Sequence, residues 1–364
     1  MKKILIMTNS DTGLYLFRRE LIEILSQIYE IHVSVPRGKY RNDLQGIGCI
    51  MHDILINRRG TNPIKELLLF LHYIRLIRNI KPDLILTYTI KPNIYGGFAS
   101  KITKTPFIVN ITGLGSSFKK KGLLRIIVSK LYKNSLINSD MIFFQNKNDK
   151  DVLINLGVSE KNAKILPGSG VNLEHFIYQE YPDNKTINFL FIGRIMREKG
   201  IDLYLKASKK IKNIYPNTMF HIVGEFEEDY RTIMAEYINE KYIKYHGNVD
   251  EVRNYYKFAH AIVLPTFHEG MSNVLLESAA SGRPVIASKI PGCEETFDEN
   301  ISGYGFEMNK QQELELTLEK FIKLPYQEKI KMGLRGRKKI SREFDRKLVV
   351  NAYIKSIADI LGNV

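Results

Sequence analysis

Residues 261–287 read AIVLPTFHEGMSNVLLESAASGRPVIA and contain a complete strand–helix–strand unit. The apolar runs at 261–264 and 284–287 have the length and composition of buried strands. Between them, Ser272 or Asn273 is predicted to cap the start of a helix. Because two strands joined through a helix lie parallel in one sheet, this stretch predicts a parallel β-sheet covered by helices.

The alternation of short apolar runs with helical periodicity extends in both directions from this unit. Further strands are predicted in the second half at 188–192, 219–223 and 243–245, and in the first half at 3–7, 31–35, 83–87, 107–111 and 141–144. Strands that alternate with helices are typical of a doubly wound sheet, in which ligands bind where the strands end.

A stretch without convincing periodicity, at about 166–185, separates the two sets of strands and is predicted to be an interdomain linker. We therefore predict an α/β fold with two doubly wound, Rossmann-like domains that face each other across a cleft. The N-terminal domain is placed at 1–170 and the C-terminal domain at 171–345. The amphipathic stretch at 346–364 is predicted to be a helix that packs back on the N-terminal domain.

The composition is that of a globular protein rather than of a disordered or membrane-spanning one. Of the 364 residues, 44% are hydrophobic and 26% are charged, and no apolar run approaches the ~18–20 residues of a membrane span. Only two cysteines occur, Cys49 and Cys293, which excludes a disulfide framework or a cysteine-based zinc site. The start of the chain has no secretory apolar segment, so we expect a soluble, cytoplasmic protein.

The positive charge is concentrated in the first half. The net charge is +15; residues 1–180 hold 26 Lys and Arg against 14 Asp and Glu, whereas the rest holds 28 against 25. This asymmetry favours an anionic partner for the first half, such as nucleic acid, an anionic membrane or a phosphorylated substrate. A Lys-rich coding bias without functional meaning is the alternative.

The first cluster of candidate functional residues directly follows the strand at 188–192. Residues 193–200 read GRIMREKG, with the three cations Arg194, Arg197 and Lys199 between two glycines. Cations at the open end of a sheet, beside glycines that let a ligand approach the backbone closely, are suited to a diphosphate. An ordinary solvated turn is the alternative interpretation.

The second cluster surrounds the predicted helix start at Ser272. The N–H groups of residues 271–274 have no helical partners and form a natural anion site. Glu269 lies in the loop before this helix, and Glu277 lies one turn past Asn273. Two carboxylates beside an anion site indicate an anionic ligand that also carries hydroxyls, because carboxylates accept hydrogen bonds from a sugar. For Glu277 the alternative is a surface position on the helix.

Together the two clusters resemble the motifs of a known enzyme family. Glu269 and Glu277 form a Glu-x7-Glu pair, and the 193–200 cluster precedes it. In these features the chain resembles the retaining nucleotide-sugar glycosyltransferases of family 4, which have the GT-B fold. Residues 110–115 and 91–93 resemble the branch of this family that extends sugars on undecaprenyl diphosphate in capsule and O-antigen biosynthesis.

The resemblance implies a role for each charged residue of the two clusters. Arg194 and Lys199 would bind the donor diphosphate and stabilise it as it leaves. Glu277 would hold the ribose hydroxyls, and Glu269 would face the donor sugar. The catalytic residues would then be Arg194, Lys199 and Glu269.

The other contacts implied by the resemblance are spread over both halves of the chain. The donor would also contact Gly13, in the loop after the first strand, together with Gly193, Gly270, Met271, Ser272, Asn273 and Val274. The acceptor side would include Lys91, Asn93, Thr112 and Gly113. The donor is expected to be a UDP-hexose or UDP-N-acetylhexosamine. The acceptor is expected to be a saccharide carried on a lipid diphosphate in bacterial surface polysaccharide biosynthesis.

We expect the reaction to need no cofactor and no metal, and the sequence offers no obvious side-chain base. The half that carries the donor motifs contains no Asp-x-Asp triplet for a bridging Mn²⁺, and two cations take its place. Where the family often carries a His, this chain has Thr112-Gly113. Retention without a nucleophile suggests a front-face displacement, in which the departing phosphate oxygen takes the acceptor proton. A glycosidase mechanism with Glu269 and Glu277 as acid and nucleophile is the competing interpretation.

Residues 118–133 account for part of the charge of the first half. Six cations alternate there with six large apolar side chains. Such a basic amphipathic segment is typical of a surface that lies on an anionic leaflet, where each cation adds ~1 kcal/mol. Membrane contacts are assigned to Lys119, Lys120, Lys121 and Arg125. The protein would then be peripheral on the inner face of the cell membrane, unless this is an ordinary helix with its stripe in the core.

Two functions of other classes remain as alternatives. A sugar-nucleotide epimerase of the same architecture would need paired carboxylates and a His near the sugar rather than a clamp of Arg and Lys. A nucleic-acid-binding protein would use the net charge of +15, but no recognition module is apparent, and we expect no nucleic-acid partner. A dehydrogenase is disfavoured because no Gly-x-Gly-x-x-Gly follows the first strand.

Overall fold

The chain divides into two units, each built on its own parallel sheet. The computed structural model describes residues 1–56, 60, 62–114 and 123–362. Unit 1 comprises Met1–Ser169 and Lys347–Val364, and unit 2 comprises Gly170–Arg346. Unit 1 is therefore assembled from two separate stretches of the chain.

Unit 1 contains a seven-stranded sheet in which all paired strands run parallel. Its strands are β1 (Lys3–Met7), β2 (Glu30–Val35), β3 (Ile50–Asp53), β4 (Leu84–Tyr88), β5 (Phe107–Ile111), β6 (Met141–Phe144) and β7 (Ala163–Ile165). Their spatial order is β3-β2-β1-β4-β5-β6-β7. In β1, Ile4 and Ile6 face one apolar cluster while Leu5 and Met7 face the other, so the strand is buried on both faces and reads as a continuous apolar run.

Helices connect these strands in the part of unit 1 that the structure describes. They are α1 (Asp11–Leu25), α2 (Arg41–Gly46), α3 (Pro63–Ile80), α4 (Gly97–Thr103), α5 (Leu123–Leu136) and α6 (Lys147–Asn155), with a π-helical turn at Pro92–Gly96 before α4. Helix α1 begins earlier than the sequence predicts. Gly13 lies in its first turn rather than in a loop, because the Ser10 side chain caps the helix and accepts a hydrogen bond from the Gly13 N–H at 3.1 Å.

Unit 2 contains a six-stranded sheet whose paired strands are also parallel. Its strands are β8 (Ile187–Ile192), β9 (Thr218–Val223), β10 (Ile243–Tyr245), β11 (Ala261–Leu264), β12 (Val285–Ser288) and β13 (Gly303–Phe306). The order is β10-β9-β8-β11-β12-β13, so β8 and β11 are neighbours at the point where the strand order reverses. The helices of unit 2 are α7 (Ile201–Ile214), α8 (Arg231–Asn239), α9 (Arg253–Phe258), α10 (Asn273–Ala280), α11 (Gln311–Lys323) and α12 (Tyr326–Glu343). The last helix of the chain, α13 (Arg346–Leu361), begins at the boundary between the two units.

Helix α13 returns to unit 1 and completes its core. Val349, Tyr353 and Ile357 recur at every fourth position of the helix and are buried in the same apolar cluster as β1. The Tyr353 hydroxyl accepts a hydrogen bond from Asn110 Nδ2 at 2.7 Å, and its ring packs on Phe143 with the centroids 4.6 Å apart. A buried tyrosine needs such a partner for its hydroxyl, so this bond helps to position α13.

Unit 2 contains a fully buried cation, Arg283, between α10 and β12. Its guanidinium donates to the backbone carbonyls of Gln179, Glu180 and Tyr256 over 2.6–2.8 Å and lies above the Tyr181 ring. Burial lowers the pKa of this guanidinium to about 10. Because the fork of donors matches several carbonyls at once, one side chain ties the segment before β8 to the end of α9.

Candidate active site

The two loops beside the reversal of strand order in unit 2 carry the predicted donor residues. One loop follows β8 and contains residues 193–200, and the other follows β11 and contains residues 265–272. Since β8 and β11 are adjacent and parallel, both loops leave from the same edge of the sheet. In an open α/β sheet this is where the ligand-binding crevice forms.

An ion pair joins the two loops. Lys199 Nζ lies 2.6 Å from Glu269 Oε1, and the two side chains are only 19% and 13% exposed. The backbones are joined as well, because the Phe267 N–H donates to the Glu198 carbonyl at 2.9 Å. A charge-assisted bond of this length holds the ammonium at the sheet edge. The structure therefore brings together two of the predicted catalytic residues, and an anionic ligand would compete with Glu269 for the same cation.

Two glycines allow the loops to approach this closely. Gly200 has φ +74°, and a Cβ atom at this position would lie 1.9 Å from the Pro265 carbonyl oxygen. A Cβ atom on Gly292 would lie 2.7 Å from the Gly270 carbonyl oxygen. No side chain fits at either position, so the geometry of the ion pair depends on both.

The N-terminus of α10 lies in the loop after β11. Its cap Ser272 accepts a hydrogen bond from the first turn through its side chain, while its own N–H donates to the Gly292 carbonyl at 2.8 Å. The Ser272 N–H is thus hydrogen-bonded within the protein, and its contact with the donor stays a prediction. The N–H groups of Met271, Asn273 and Val274 find no acceptor within the described part of the chain, nor does the buried Asn273 Oδ1 find a donor there. These groups suit an anionic ligand that also carries hydroxyls.

Glu277 lies further along α10, with its side chain partly exposed. Burial raises the pKa of its carboxyl group from 4.5 to about 7, and a hydrogen bond from the Tyr256 hydroxyl, at 3.1 Å, acts in the opposite direction. A ligand hydroxyl that donates to this carboxyl group would favour its charged form. Tyr256 was not predicted from the sequence, since it lies 21 residues earlier on α9 and no local pattern connects the two.

Arg194 is held more loosely than Lys199. Its side chain is 47% exposed, and its Nη1 lies 3.4 Å from Glu227 Oε2. The backbone beneath it is fixed, because the Ile195 N–H donates to the Glu225 carbonyl at 2.8 Å in the loop after β9. A half-exposed arginine with one weak ion pair can turn toward an anionic ligand at little cost. Glu227 is a second neighbour of the site that the sequence did not indicate.

The predicted acceptor-side residues lie in unit 1 after β4 and β5. The Lys91 ammonium is bound to the Glu66 carboxylate and donates to the Gly60 carbonyl at 2.7 Å. Asn93 is completely buried, and its Nδ2 donates to the Asn110 carbonyl at 3.0 Å. Both side chains are thus used inside unit 1, and the burial of Asn93 contradicts its assignment as a direct acceptor contact. The π-helical turn that buries Asn93 has no signal in the sequence.

The remaining predicted residues are only partly described by the structure. Thr112 and Gly113 follow β5 and are partly exposed. Lys119, Lys120 and Lys121 lie outside the described residues, as does Gly115. Arg125 is partly exposed on α5. Among the helices that the structure describes, none is long and apolar enough to cross a membrane.

One Asp-x-Asp triplet does occur, outside the donor half, at residues 149–151 in α6. Asp149 is buried, and its carboxylate accepts a hydrogen bond from Asn146 Nδ2 at 3.2 Å beside the start of the helix. Within the described ranges, no group of three His, Cys, Asp or Glu side chains is arranged to hold a metal ion.

Comparison with known proteins identifies the family. The family model described as "Glycosyl transferases group 1" matches residues 174–339, and the one described as "Glycosyl transferase 4-like" matches residues 3–146. The chain belongs to the glycosyltransferases that these two models describe. The predicted family and the predicted enzyme class are thereby confirmed.

Individual glycosyltransferases are similar over most of the chain. The N,N'-diacetylbacillosaminyl-diphospho-undecaprenol alpha-1,3-N-acetylgalactosaminyltransferase of Campylobacter jejuni is 25% identical over 98% of this chain and 99% of its own length. The UDP-Gal:alpha-D-GlcNAc-diphosphoundecaprenol alpha-1,3-galactosyltransferase of Escherichia coli is 25% identical over 69% of each chain. Anabaena Alr3699/HepE, solved in complex with UDP-glucose, matches with a TM-score of 0.81 at 17% identity over 99% of this chain and 100% of that one. This likeness confirms the predicted GT-B fold.

Proposed function

We propose that this glycosyltransferase moves a hexose or N-acetylhexosamine from a UDP-sugar to a saccharide carried on a lipid diphosphate, with retention of the anomeric configuration. The observation that carries the proposal is the Lys199–Glu269 ion pair, which joins the loops after β8 and β11. The second of these loops leads directly into the N-terminus of α10. The names of the relatives support it, since both act on acceptors linked to diphospho-undecaprenol and one uses UDP-Gal. Such a reaction belongs to bacterial surface polysaccharide biosynthesis.

In this proposal the cations act on the leaving group. Lys199 exchanges the Glu269 carboxylate for the donor diphosphate, and Arg194 turns from Glu227 to the same anion. Both neutralise the charge that develops as the bond between the anomeric carbon and the phosphate oxygen breaks. The acceptor hydroxyl attacks from the same face, and its proton passes to the departing phosphate oxygen.

The carboxylates then have separate tasks. Release from Lys199 leaves Glu269 able to accept hydrogen bonds from the donor sugar, while Glu277 accepts from the ribose hydroxyls. We expect no metal ion to be required, because Arg194 and Lys199 supply the positive charge. This division of tasks differs from a glycosidase, in which the two carboxyl groups would act as acid and nucleophile.

The proposed acceptor determines where the protein works. A saccharide on a lipid diphosphate stays at the bilayer, so the enzyme has to reach it as a peripheral protein on the inner face of the cell membrane. The surplus of 26 Lys and Arg over 14 Asp and Glu in residues 1–180 supports attraction to an anionic leaflet. The basic segment at 118–133 is one expected source of this attraction.

The variant Lys199→Ala tests the proposed function. UDP release would be measured with a panel of UDP-hexoses and UDP-N-acetylhexosamines and a short-chain diphosphate-linked saccharide. The loss of a charge contact to the leaving group should lower kcat by about 10²-fold or more. Arg197→Ala is the matched control, because Arg197 is an exposed cation of the same loop and should keep kcat within about threefold of the wild type.

Two outcomes would contradict the proposal. A Lys199→Ala variant that folds, as judged by circular dichroism, and keeps the wild-type kcat would remove the role of the cation. If the wild-type protein releases no UDP from any of these donors in the presence of the diphosphate-linked saccharide, the proposed substrate class is wrong.

A further inference from the structure

Helix α3 carries a stripe of exposed apolar side chains. Its members recur at positions i, i+3, i+4 and i+7 and are 50–70% exposed: Ile64, Leu67, Leu68 and Leu71. We call these four residues the α3 stripe. They lie opposite the face that α3 buries in unit 1, which is formed by Leu69, Tyr73, Leu76, Ile77 and Ile80. Scattered exposed apolar residues are ordinary, but four contiguous large ones on one helix face mark an interaction surface.

The same face of α3 continues into positive charge. Arg75 and Arg78 are exposed and follow Leu71 at i+4 and i+7, so they extend the stripe along the helix. The only acidic residue of α3 is Glu66, and its carboxylate is bound to Lys91. The face therefore combines an apolar half with a basic half, which complements an anionic lipid surface in both charge and hydrophobicity.

The stripe lies near the end of unit 1 at which the strands terminate. Glu66 is in the first turn of α3, and its partner Lys91 follows the carboxyl end of β4. The apolar half of α3 is thus next to the sheet edge at which open α/β sheets bind their ligands. A surface of this kind would bring that edge to the bilayer, where a lipid-linked diphosphate is found.

We propose that the α3 stripe inserts into the anionic inner leaflet, with Arg75 and Arg78 among the lipid headgroups. The inference deepens the proposed function, and the choice of a membrane as the partner rests on it. An interfacial helix of this type buries its apolar face about 5–10 Å deep at the boundary between headgroups and acyl chains. The membrane contact then includes α3 and is not confined to the basic segment at 118–133.

The triple variant Leu67→Gln, Leu68→Gln and Leu71→Gln tests this surface. Cosedimentation would be measured with vesicles of phosphatidylcholine containing about one third phosphatidylglycerol, and the variant should partition about tenfold more weakly or worse than the wild type. The control is Leu316→Gln with Leu334→Gln, which changes leucines that are 56% and 45% exposed on helices of unit 2. It should sediment like the wild type. All of the substituted side chains are about half exposed, so the fold should be retained.

A fluorescence reporter tests insertion directly, because the chain contains no tryptophan. The emission of Leu68→Trp should shift to shorter wavelength when vesicles are added and should be quenched by brominated acyl chains. Leu316→Trp should show neither effect. A shift that requires no vesicles and grows with protein concentration, together with a doubled mass in light scattering, would mean that a second copy covers the stripe and would overturn the proposal.

These experiments distinguish a failure of the α3 membrane surface from a failure of the proposed function. A short-chain, water-soluble diphosphate acceptor needs no bilayer, so the triple variant should keep the wild-type kcat on it. If the triple variant sediments with vesicles as well as the wild type does, the docking surface is refuted whatever the turnover. If vesicle binding depends on the stripe but no acceptor is used, the proposed function fails and the docking surface stands.

Discussion

Replacement of Glu277 by Gln should stabilise the protein at alkaline pH. Burial raises the pKa of this carboxyl group from 4.5 to about 7 in the folded protein, whereas the unfolded chain ionises near the ordinary value. The stability that depends on this group is therefore fully present below pH 4.5 and is lost as the pH rises through 7. Gln carries no charge and can still accept the hydrogen bond from Tyr256, so the variant avoids this loss.

The size of the effect follows from the two pKa values. Each pKa unit corresponds to about 1.4 kcal/mol, so the full loss is about 3 kcal/mol, and about 2.5 kcal/mol of it falls between pH 5 and pH 8.5. For a unit of this size, 1 kcal/mol moves Tm by roughly 2–4 °C. The Tm advantage of Glu277→Gln over the wild type should thus grow by roughly 5–10 °C across this interval.

Thermal unfolding would be followed by circular dichroism and calorimetry at both pH values, without ligand. Glu236→Gln is the matched control, because it removes an exposed carboxylate from α8 in the same unit, and its Tm difference from the wild type should not change with pH. A Tm difference for Glu277→Gln that is equal at pH 5 and pH 8.5 would refute the raised pKa and the reasoning built on it.

Three further predictions concern the proposed donor site and the core of unit 2. Tyr256→Phe removes the hydrogen bond that lowers the pKa of Glu277, so donor binding should strengthen only at higher pH than in the wild type. Calorimetric titration with UDP-sugar measures this, and an unchanged pH profile would contradict the role of Tyr256. Arg283→Met leaves several buried carbonyls unpaired and should lower the free energy of unfolding by about 3–5 kcal/mol in urea titrations, and an unchanged midpoint would show that water replaces the guanidinium. Activity should persist in EDTA, because Arg194 and Lys199 supply the charge at the leaving group; complete loss that Mn²⁺ or Mg²⁺ restores would contradict the metal-free mechanism.

Most of the strands that the sequence predicted are well buried, although β10 buries only Ile243. β1, β4 and β5 in unit 1, and β8 and β11 in unit 2, carry almost completely buried residues and read as continuous apolar runs. β3 and β7 are short and half exposed, and β13 reads Gly-Tyr-Gly-Phe, so none of the three has a pattern that distinguishes it from a loop. Strand prediction thus failed at β3 and β7, where little of the strand is buried, and at β13, where two glycines interrupt the apolar run.

Short-range sequence patterns correctly predicted the strand end and the helix start that carry the two clusters of candidate donor residues. Residues 193–200 follow a strand and Ser272 caps a helix because short-range rules decide where strands end and helices begin. The spacing of Glu269 and Glu277 is likewise a property of one contiguous stretch. For this reason the family resemblance, the α/β class and the positions of the candidate donor residues at a strand end and a helix start were accessible from the sequence alone.

The partners of these residues depended on the tertiary structure. Lys199 meets Glu269 across 70 residues because β8 and β11 are neighbours in the sheet, and strand order is not encoded in any local period. The same is true of Tyr256 beside Glu277 and of the burial of Asn93. The sequence by itself determined which side chains stand at strand ends and helix starts, since those are short-range properties of the backbone. Only long-range packing decided which of them touch, and therefore which charges are paired and which carboxyl group titrates near neutral pH.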